Sequence, residues 1–179
     1  KKGIDARVVI PMYSTMSQAM RDRCTFEKFF YFSLGWRSCY CGIFTAEADG
    51  VTYYLIDNEQ YFKRGGTYGE FDDAERFAFF SKAVLEILPQ IGFFPDIIHA
   101  NDWHTALVPV YLDTQFRQVP GYESIKTVFS IHNIEFQGKY GMDILESIFG
   151  IQPSQRSLVE FDGCINLMKG AIDYSDFVS

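Results

Sequence analysis

All three histidines of the chain, the residues best suited to proton transfer near neutral pH, lie between Pro95 and Gly138. His99, His104 and His132 each stand at or just beyond the end of an apolar run. Histidine can exchange a proton, bind a metal ion or donate a hydrogen bond to a ligand. This clustering is the best functional clue that the composition offers.

The segments around these histidines predict a βαβ unit. Residues 96–99 and 127–131 are short apolar runs typical of buried parallel strands, and residues 105–116 carry apolar side chains at mostly helical spacing. Ligands of open parallel sheets bind at the carboxyl ends of the strands. We therefore expect residues 102–104 and 132–138 to lie at the ligand-binding edge.

Two stretches in this unit resemble a known family. The sequences HANDWHTALVPVYL, at residues 99–112, and SIHNIEFQG, at residues 130–138, together closely resemble bacterial glycogen synthases and plant starch synthases. The similarity extends from about Asp5 to the C-terminus. The resemblance implies retaining transfer of glucose from ADP-glucose to the non-reducing end of an α-1,4-glucan, by two Rossmann-like domains that face each other across a cleft. It implies no metal and no cofactor.

His132 and Asn133 follow the second strand directly, so both side chains are expected at the ligand edge. The resemblance implies that His132 contacts the transferred glucose near its reacting centre, and we predict His132 as the catalytic residue. Asn133 and Gln137 are predicted to bind substrate, whereas a loop-surface role stays open for Glu135 and Gln137. An oxocarbenium-like transition state requires electron-rich groups nearby, which a histidine and its backbone carbonyl supply.

Asp102, Trp103 and His104 follow the first strand and are also predicted to bind substrate. Each has a structural alternative. Asp102 could simply cap the next helix, Trp103 is favoured as a core residue over a sugar-stacking platform, and His104 could cap the helix or line the cleft. His99 is expected to be a structural histidine that bonds to the backbone. The resemblance favours Asp102 as a cleft residue.

Tyr68 belongs to a glycine-containing loop, Arg64-Gly-Gly-Thr-Tyr-Gly69, in the segment 57–73. The spacing differs from a Walker loop, and as a bare motif the loop is better interpreted as a turn. In the resembled family the matching tyrosine faces the sugar cleft, so Tyr68 is predicted to bind substrate.

The remaining segments predict an α/β fold with a Rossmann-like, open, mostly parallel sheet, helices on both faces and a β-hairpin region. Strands are predicted at 7–10, 26–34, 37–46, 51–56 and 176–179, and helices at 74–88, ended by Pro89, and at 163–174. Residues 141–149 predict a short helix or turn, and residues 151–157 a loop. The pair Asp49-Gly50 indicates a hairpin turn.

The domain prediction is one truncated N-terminal, acceptor-side domain over residues 1–179, without the nucleotide-binding C-terminal domain of the same protein. Lys1-Lys2-Gly3 looks like the end of a helix, so a first strand and helix are expected to be missing. The family's Lys-Thr-Gly-Gly loop has no match in this sequence, and we expect the fragment alone to be inactive.

Composition excludes other classes. A net charge of −7 argues against nucleic-acid partners, and no apolar run is long enough for a membrane span. The four cysteines form no C-x-x-C pair, and the histidine spacing disfavours a metal site. Reduced thiols fit a cytoplasmic location, or a plastid stroma in a plant. A non-catalytic glucan-binding module and a sucrose synthase-like transferase remain the alternatives.

Overall fold

A computed structural model describes residues 3–179, so the predicted helix end at Lys1-Lys2 lies outside the described residues. The described residues divide into two compact units, one formed by residues 3–32 and 38–73 and the other by residues 33–37 and 74–179. The strands are β1 Arg7–Pro11, β2 Thr25–Leu34, β3 Arg37–Ala48, β4 Val51–Asp57, β5 Ile97–Asn101, β6 Lys126–Ser130, β7 Lys139–Tyr140, β8 Glu160–Phe161, β9 Cys164–Asn166 and β10 Phe177–Val178. The α-helices are α1 Gln18–Arg21, α2 Glu59–Phe62, α3 Asp73–Ile91, α4 Leu107–Tyr111 and α5 Leu167–Tyr174.

The first unit is built on a four-stranded sheet in the order β1-β4-β3-β2. Strand β1 runs parallel to β4, and β4 runs antiparallel to β3 through the turn at Asp49-Gly50. Both turn residues have positive φ, 53° and 74°, which Asp and Gly tolerate better than most residues. The predicted hairpin region is therefore confirmed.

The second unit contains the predicted βαβ unit. Strands β10, β6 and β5 form a parallel three-stranded sheet in that order. The α/β prediction is confirmed, and the described residues place parallel strand pairs in two sheets. Asn101 at the end of β5 pairs with Ser130 at the end of β6. This register brings the two predicted ligand segments to one edge.

The predicted stop of helix α3 at Pro89 is wrong, because the helix continues to Ile91. Proline has no N–H, so the carbonyl of Leu85, four residues earlier, loses its helical donor. The Tyr122 hydroxyl donates a 2.8 Å hydrogen bond to that carbonyl instead. Gly92 then ends the helix with φ +62°.

The helical segment after β5 is irregular. A 3-10 turn at Trp103–Thr105 leads into α4, which passes into a π-helical segment at Leu112–Phe116. Thr114 donates a 2.7 Å side-chain hydrogen bond to the Val110 carbonyl within this segment. The single helix expected over residues 105–116 is therefore three short pieces.

The predicted helix over residues 163–174 begins at Leu167, because its first residues form strand β9 instead. Strands β7, β9 and β8 make a small antiparallel sheet. Asp162 and Gly163 connect β8 to β9 with φ of 52° and 74°, a turn of the Asp-Gly type. Asn166 then caps α5 by accepting the Lys169 N–H at 3.0 Å.

Two segments predicted as loops contain short helices, α2 and a 3-10 turn at Pro153–Leu158. The four cysteines, all within the described residues, form no disulfide. No helix of residues 3–179 is both long enough and apolar enough to cross a bilayer.

Candidate functional site at the carboxyl ends of β5 and β6

Asp102 is the centre of the candidate site and has a strained backbone. It follows β5 directly with φ +56° and ψ 179°, a conformation that residues other than glycine rarely adopt. Its N–H donates to the carbonyl of Ser130 at the end of β6, at 2.9 Å. The strain therefore lies where the neighbouring strand ends, and such strain is concentrated at functional sites.

The Asp102 carboxylate joins the two strand ends. Its Oδ1 accepts the backbone N–H of His132 at 2.7 Å and that of Asn133 at 3.2 Å. It makes no capping bond to the 3-10 turn that follows, so the capping alternative is wrong. Asp102 thus fixes the backbone that carries the predicted catalytic residue.

The side chain of His132 is exposed and oriented by Asn101. The Nε2 atom of His132 lies 3.0 Å from the carboxamide oxygen of Asn101. Because that oxygen only accepts, Nε2 carries the proton and Nδ1 is left as the acceptor of the neutral ring. A neutral His132 can therefore accept a hydroxyl proton through Nδ1.

Sequence reasoning missed Asn101. The signal was present, because residues that end adjacent parallel strands lie side by side and Asn101 precedes Asp102 directly. The observed register, in which Asn101 pairs with Ser130, places it two residues from His132 along the edge. Asn101 is the residue that sets the orientation of the imidazole.

Asn133 and Gln137 hold the loop after β6. The Asn133 side-chain oxygen accepts the N–H of Glu135 at 3.0 Å, which closes a local turn. Gln137 donates to the carbonyl of Ile134 at 3.0 Å and accepts from Asn166, the cap of α5, at 2.8 Å. Both ends of the Gln137 amide are thus engaged within the protein.

Trp103 and His104 pack into the unit instead of projecting from its edge. Trp103 is only 9% exposed, with its ring centroid 5.1 Å from that of Phe77 in an edge-to-face arrangement. The His104 ring lies 4.6 Å from Phe77 and 4.2 Å from Trp103, centroid to centroid. This geometry favours the core alternative for Trp103, which has no open ring face for sugar stacking.

His99 lies outside the site on the exposed side of β5. Its Nε2 lies 2.7 Å from the Ser130 hydroxyl, which in turn lies 2.6 Å from the hydroxyl of Ser179. The expected partner was the backbone, so that detail was wrong. The structural role predicted for His99 fits the observed bond between strands.

Tyr68 belongs to the first unit and is 63% exposed there. Its loop is fixed by local bonds. The Arg64 guanidinium pairs with Asp72 at 2.7 Å, and the Gly69 N–H donates to the Asp73 carboxylate at 2.6 Å. Tyr68 is therefore presented on an ordered loop.

These residues can donate and accept hydrogen bonds, which is the chemistry that a hydroxyl-bearing ligand requires. Within residues 3–179 no three His, Cys, Asp or Glu side chains are grouped to hold a metal ion. The site instead presents an oriented imidazole, and Asp102 fixes the main chain that carries it. Groups positioned in advance in this way can stabilise a developing positive charge without reorganisation.

The chain is an α/β protein whose candidate site, rich in polar side chains, lies at the carboxyl ends of parallel strands. Open-sheet enzymes bind their ligands at this edge. The sequence matches the family described as the starch synthase catalytic domain over residues 1–179. The chain belongs to that family.

Similar proteins agree with this assignment. A glycogen synthase of Clostridium perfringens is 50% identical over 178 residues, which are 98% of this chain and 37% of that protein. A glycogen synthase of Bacillus cereus is 47% identical over 181 residues, 100% of this chain and 38% of that protein. The chain therefore spans less than two-fifths of the length of these curated relatives.

A solved structure shares the fold. The catalytic domain of starch synthase IV from Arabidopsis thaliana, bound to ADP and acarbose, superposes with a TM-score of 0.84 at 29% identity. The match covers 99% of this chain and 38% of that one.

Proposed function

We propose that this chain is the acceptor-side, N-terminal part of a longer two-domain glucan synthase. That enzyme transfers glucose from ADP-glucose to the non-reducing end of an α-1,4-glucan with retention of configuration. The family match over residues 1–179 and the two relatives named glycogen synthase support the assignment. A coverage of 37–38% supports a further domain, which would provide the nucleotide site.

The observation that carries the proposal is the Asp102 bridge to the backbone N–H groups of His132 and Asn133. In a retaining transfer the anomeric carbon passes through an oxocarbenium-like state. We assign His132 the catalytic role. Its imidazole bonds to a hydroxyl of the transferred glucose, and its backbone carbonyl faces the developing charge.

The other site residues divide into two groups. Asp102, Asn101 and Gln137 are positioning residues, because each uses its side chain to fix the backbone or ring of the loop after β6. Asn133 and Tyr68 are assigned to substrate contact, since both are exposed. His104 supports the site through its packing against Trp103.

ADP-glucose is favoured over UDP-glucose as the donor because the matched Arabidopsis structure is described as bound to ADP. Acarbose in the same structure supports a glucan as the acceptor. We also propose a cytoplasmic location, supported by four cysteines that form no disulfide.

The test is a transfer assay with the full-length protein. Glycogen is supplied as acceptor with ADP-glucose or UDP-glucose, and both nucleotide release and chain elongation are measured. We expect elongation with ADP-glucose at a kcat/KM well above that with UDP-glucose. Glycogen binding without elongation would identify a glucan-binding module instead, and a preference for UDP-glucose would identify another nucleotide-sugar transferase.

A further inference from the structure

A polar recess lies in the same unit as Asp102 and His132 and is lined by none of the candidate-site residues. It is an open groove of about 590 Å³ beside the turn between β2 and β3. Its rim includes Trp36, and its walls include Thr114, Gln115, Ser147, Gln152 and Gln155. About twelve helical residues separate Trp103 from Gln115, which corresponds to ~18 Å. We name this recess the Trp36 groove.

The rim of the Trp36 groove is rigidly built. Gly35 has φ +58° and packs so tightly on Gly150 that a Cβ on Gly150 would lie 2.9 Å from the Gly35 nitrogen. Arg37 donates to the carbonyls of Ser147 at 2.6 Å and Ile148 at 2.8 Å. The turn is therefore fixed to the segment that forms the opposite wall.

This anchoring holds Trp36 out in solvent. The side chain is 79% exposed, although tryptophan is among the most buried residues on average. The Arg37 guanidinium, whose own side chain is only 12% exposed, lies 5.5 Å from the centre of the Trp36 ring. A rigid, exposed indole beside a recess offers a flat apolar face with a polar N–H at its edge.

The walls of the groove supply donors and acceptors in similar measure. Gln152 and Gln155 are exposed, and a carboxamide both donates and accepts, as a sugar hydroxyl does. Gln115 accepts from the Lys82 ammonium at 2.9 Å, which leaves its NH₂ group as a donor. Gln115 also lies in the π-helical segment, a type of distortion that is frequent at functional sites.

The charges of the groove disfavour an anionic ligand. Lys82 donates to Gln115, and Glu146 is among the residues that line the recess, so its negative charge disfavours a phosphate there. A nucleotide therefore fits poorly. An uncharged ligand that has an apolar face and several hydroxyls fits the indole, the amides and the near-neutral lining together.

We propose that the Trp36 groove binds a segment of the α-1,4-glucan away from the site of transfer. The identity of the sugar in this assignment depends on the proposed function. The existence of a polar groove beside an exposed indole does not, because it follows from the lining residues. A polymer held at a second point stays at high effective concentration near the first. The groove thus assists long acceptors and leaves short ones unaffected.

The test compares Trp36→Ala with wild-type full-length protein. In gels that contain glycogen and no nucleotide, we expect Trp36→Ala to weaken retention at least fivefold. In transfer assays its KM for glycogen should rise at least fivefold, while kcat and the KM for maltotriose stay unchanged. Phe161→Ala removes another exposed aromatic of the same unit, 57% exposed, and should behave as wild type.

The outcomes separate the groove from the proposed function. Equal glycogen retention by wild type and Trp36→Ala overturns the proposal that the Trp36 groove binds glucan. A loss of retention in Phe161→Ala as large as that in Trp36→Ala also overturns it. A parallel loss of activity on maltotriose also overturns it, because that pattern indicates damage to the transfer site or the fold. Absence of transfer by wild type refutes the proposed function, while the gel still decides whether Trp36 binds glucan.

Discussion

Asp102 offers the sharpest test of how the candidate site is held together, because one side chain has two separable effects. Its carboxylate accepts two backbone N–H groups across the strand ends, and its backbone is strained at φ +56°. Asp102→Ala removes the bonds and keeps the strain. Asp102→Gly removes the bonds and relieves the strain, whereas Asp102→Asn keeps a neutral acceptor.

The magnitudes follow from these contacts. A hydrogen bond to a charged group contributes ~1.5–3 kcal/mol. Because Asp102 is partly exposed, each of its two bonds falls at the lower end of this range, so Asp102→Ala should cost about 3 kcal/mol. Asp102→Gly relieves ~1–3 kcal/mol of backbone strain in the folded state. It also increases the conformational entropy of the unfolded chain, which costs up to ~1 kcal/mol of stability. We therefore expect the stability order wild type, then Asn and Gly, then Ala.

Two measurements check the order. Urea unfolding gives the free energy, and amide hydrogen exchange reports the His132 and Asn133 N–H groups directly, since local opening exposes them. Both amides should lose protection in Asp102→Ala and Asp102→Gly and keep part of it in Asp102→Asn. If the His132 and Asn133 amides of Asp102→Ala kept wild-type protection, the hydrogen bonds to the Asp102 carboxylate would not hold this loop. If the Ala and Gly variants were equally stable, the Asp102 backbone would not be strained.

Two further predictions concern the second unit. Tyr122→Phe leaves the buried Leu85 carbonyl without its 2.8 Å donor and should lower the free energy of unfolding by ~1–3 kcal/mol in urea titrations; a change under 0.5 kcal/mol would contradict that role. Hydrogen bonds from the Lys126 ammonium and the Thr127 backbone hold the pKa of Asp176 below its usual value. The charged carboxylate therefore stabilises the folded state above about pH 4. This contribution is lost as the pH falls through the lowered pKa. Asp176→Asn should therefore be less stable than wild type at pH 6, and this difference in the free energy of unfolding should narrow as the pH is lowered below about 4. A difference of constant size across the whole pH series would exclude this linkage.

The sequence predicts the elements whose signals are local. Strands β5 and β6 lie within two residues of their expected bounds, because a short apolar run between polar residues strongly favours a buried strand. The turn at Asp49-Gly50 follows from residue type alone. The second Asp-Gly turn, at Asp162-Gly163, carries the same signal, but the apolar spacing that follows it predicts a helix where the structure has strand β9.

Errors arose where a distant residue decides the outcome. Pro89 is a local stop signal, but Tyr122 supplies the bond that lets the helix continue past it. The sequence spacing of residues 105–116 did not reveal their division into three helical forms. These features depend on tertiary partners, which overrule local propensity.

The candidate site also has some features that local sequence predicts and others that depend on tertiary contacts. The position of His132 at the strand end was predictable, because parallel strands fix where their carboxyl ends meet. The orientation of its ring by Asn101, and the use of Asp102 as a bridge instead of a cap, depend on distances between two strands. These distances become visible only in three dimensions.

The catalytic role proposed for His132 is tested most directly by measuring both kinetics and stability on one His132→Ala sample of the full-length protein. An interaction made mainly in the transition state lowers kcat and leaves KM for ADP-glucose nearly unchanged. We expect a kcat lower by ~10²–10³-fold. The melting temperature should stay within about a degree of wild type, because the side chain is exposed and leaves no core cavity.

His99→Ala is the matched control, since it removes the histidine that bonds to Ser130 outside the candidate site. It should keep the wild-type kcat. A His132→Ala protein with a lower melting temperature and normal turnover per folded molecule would contradict the assignment, as would an equal loss of kcat in both histidine variants.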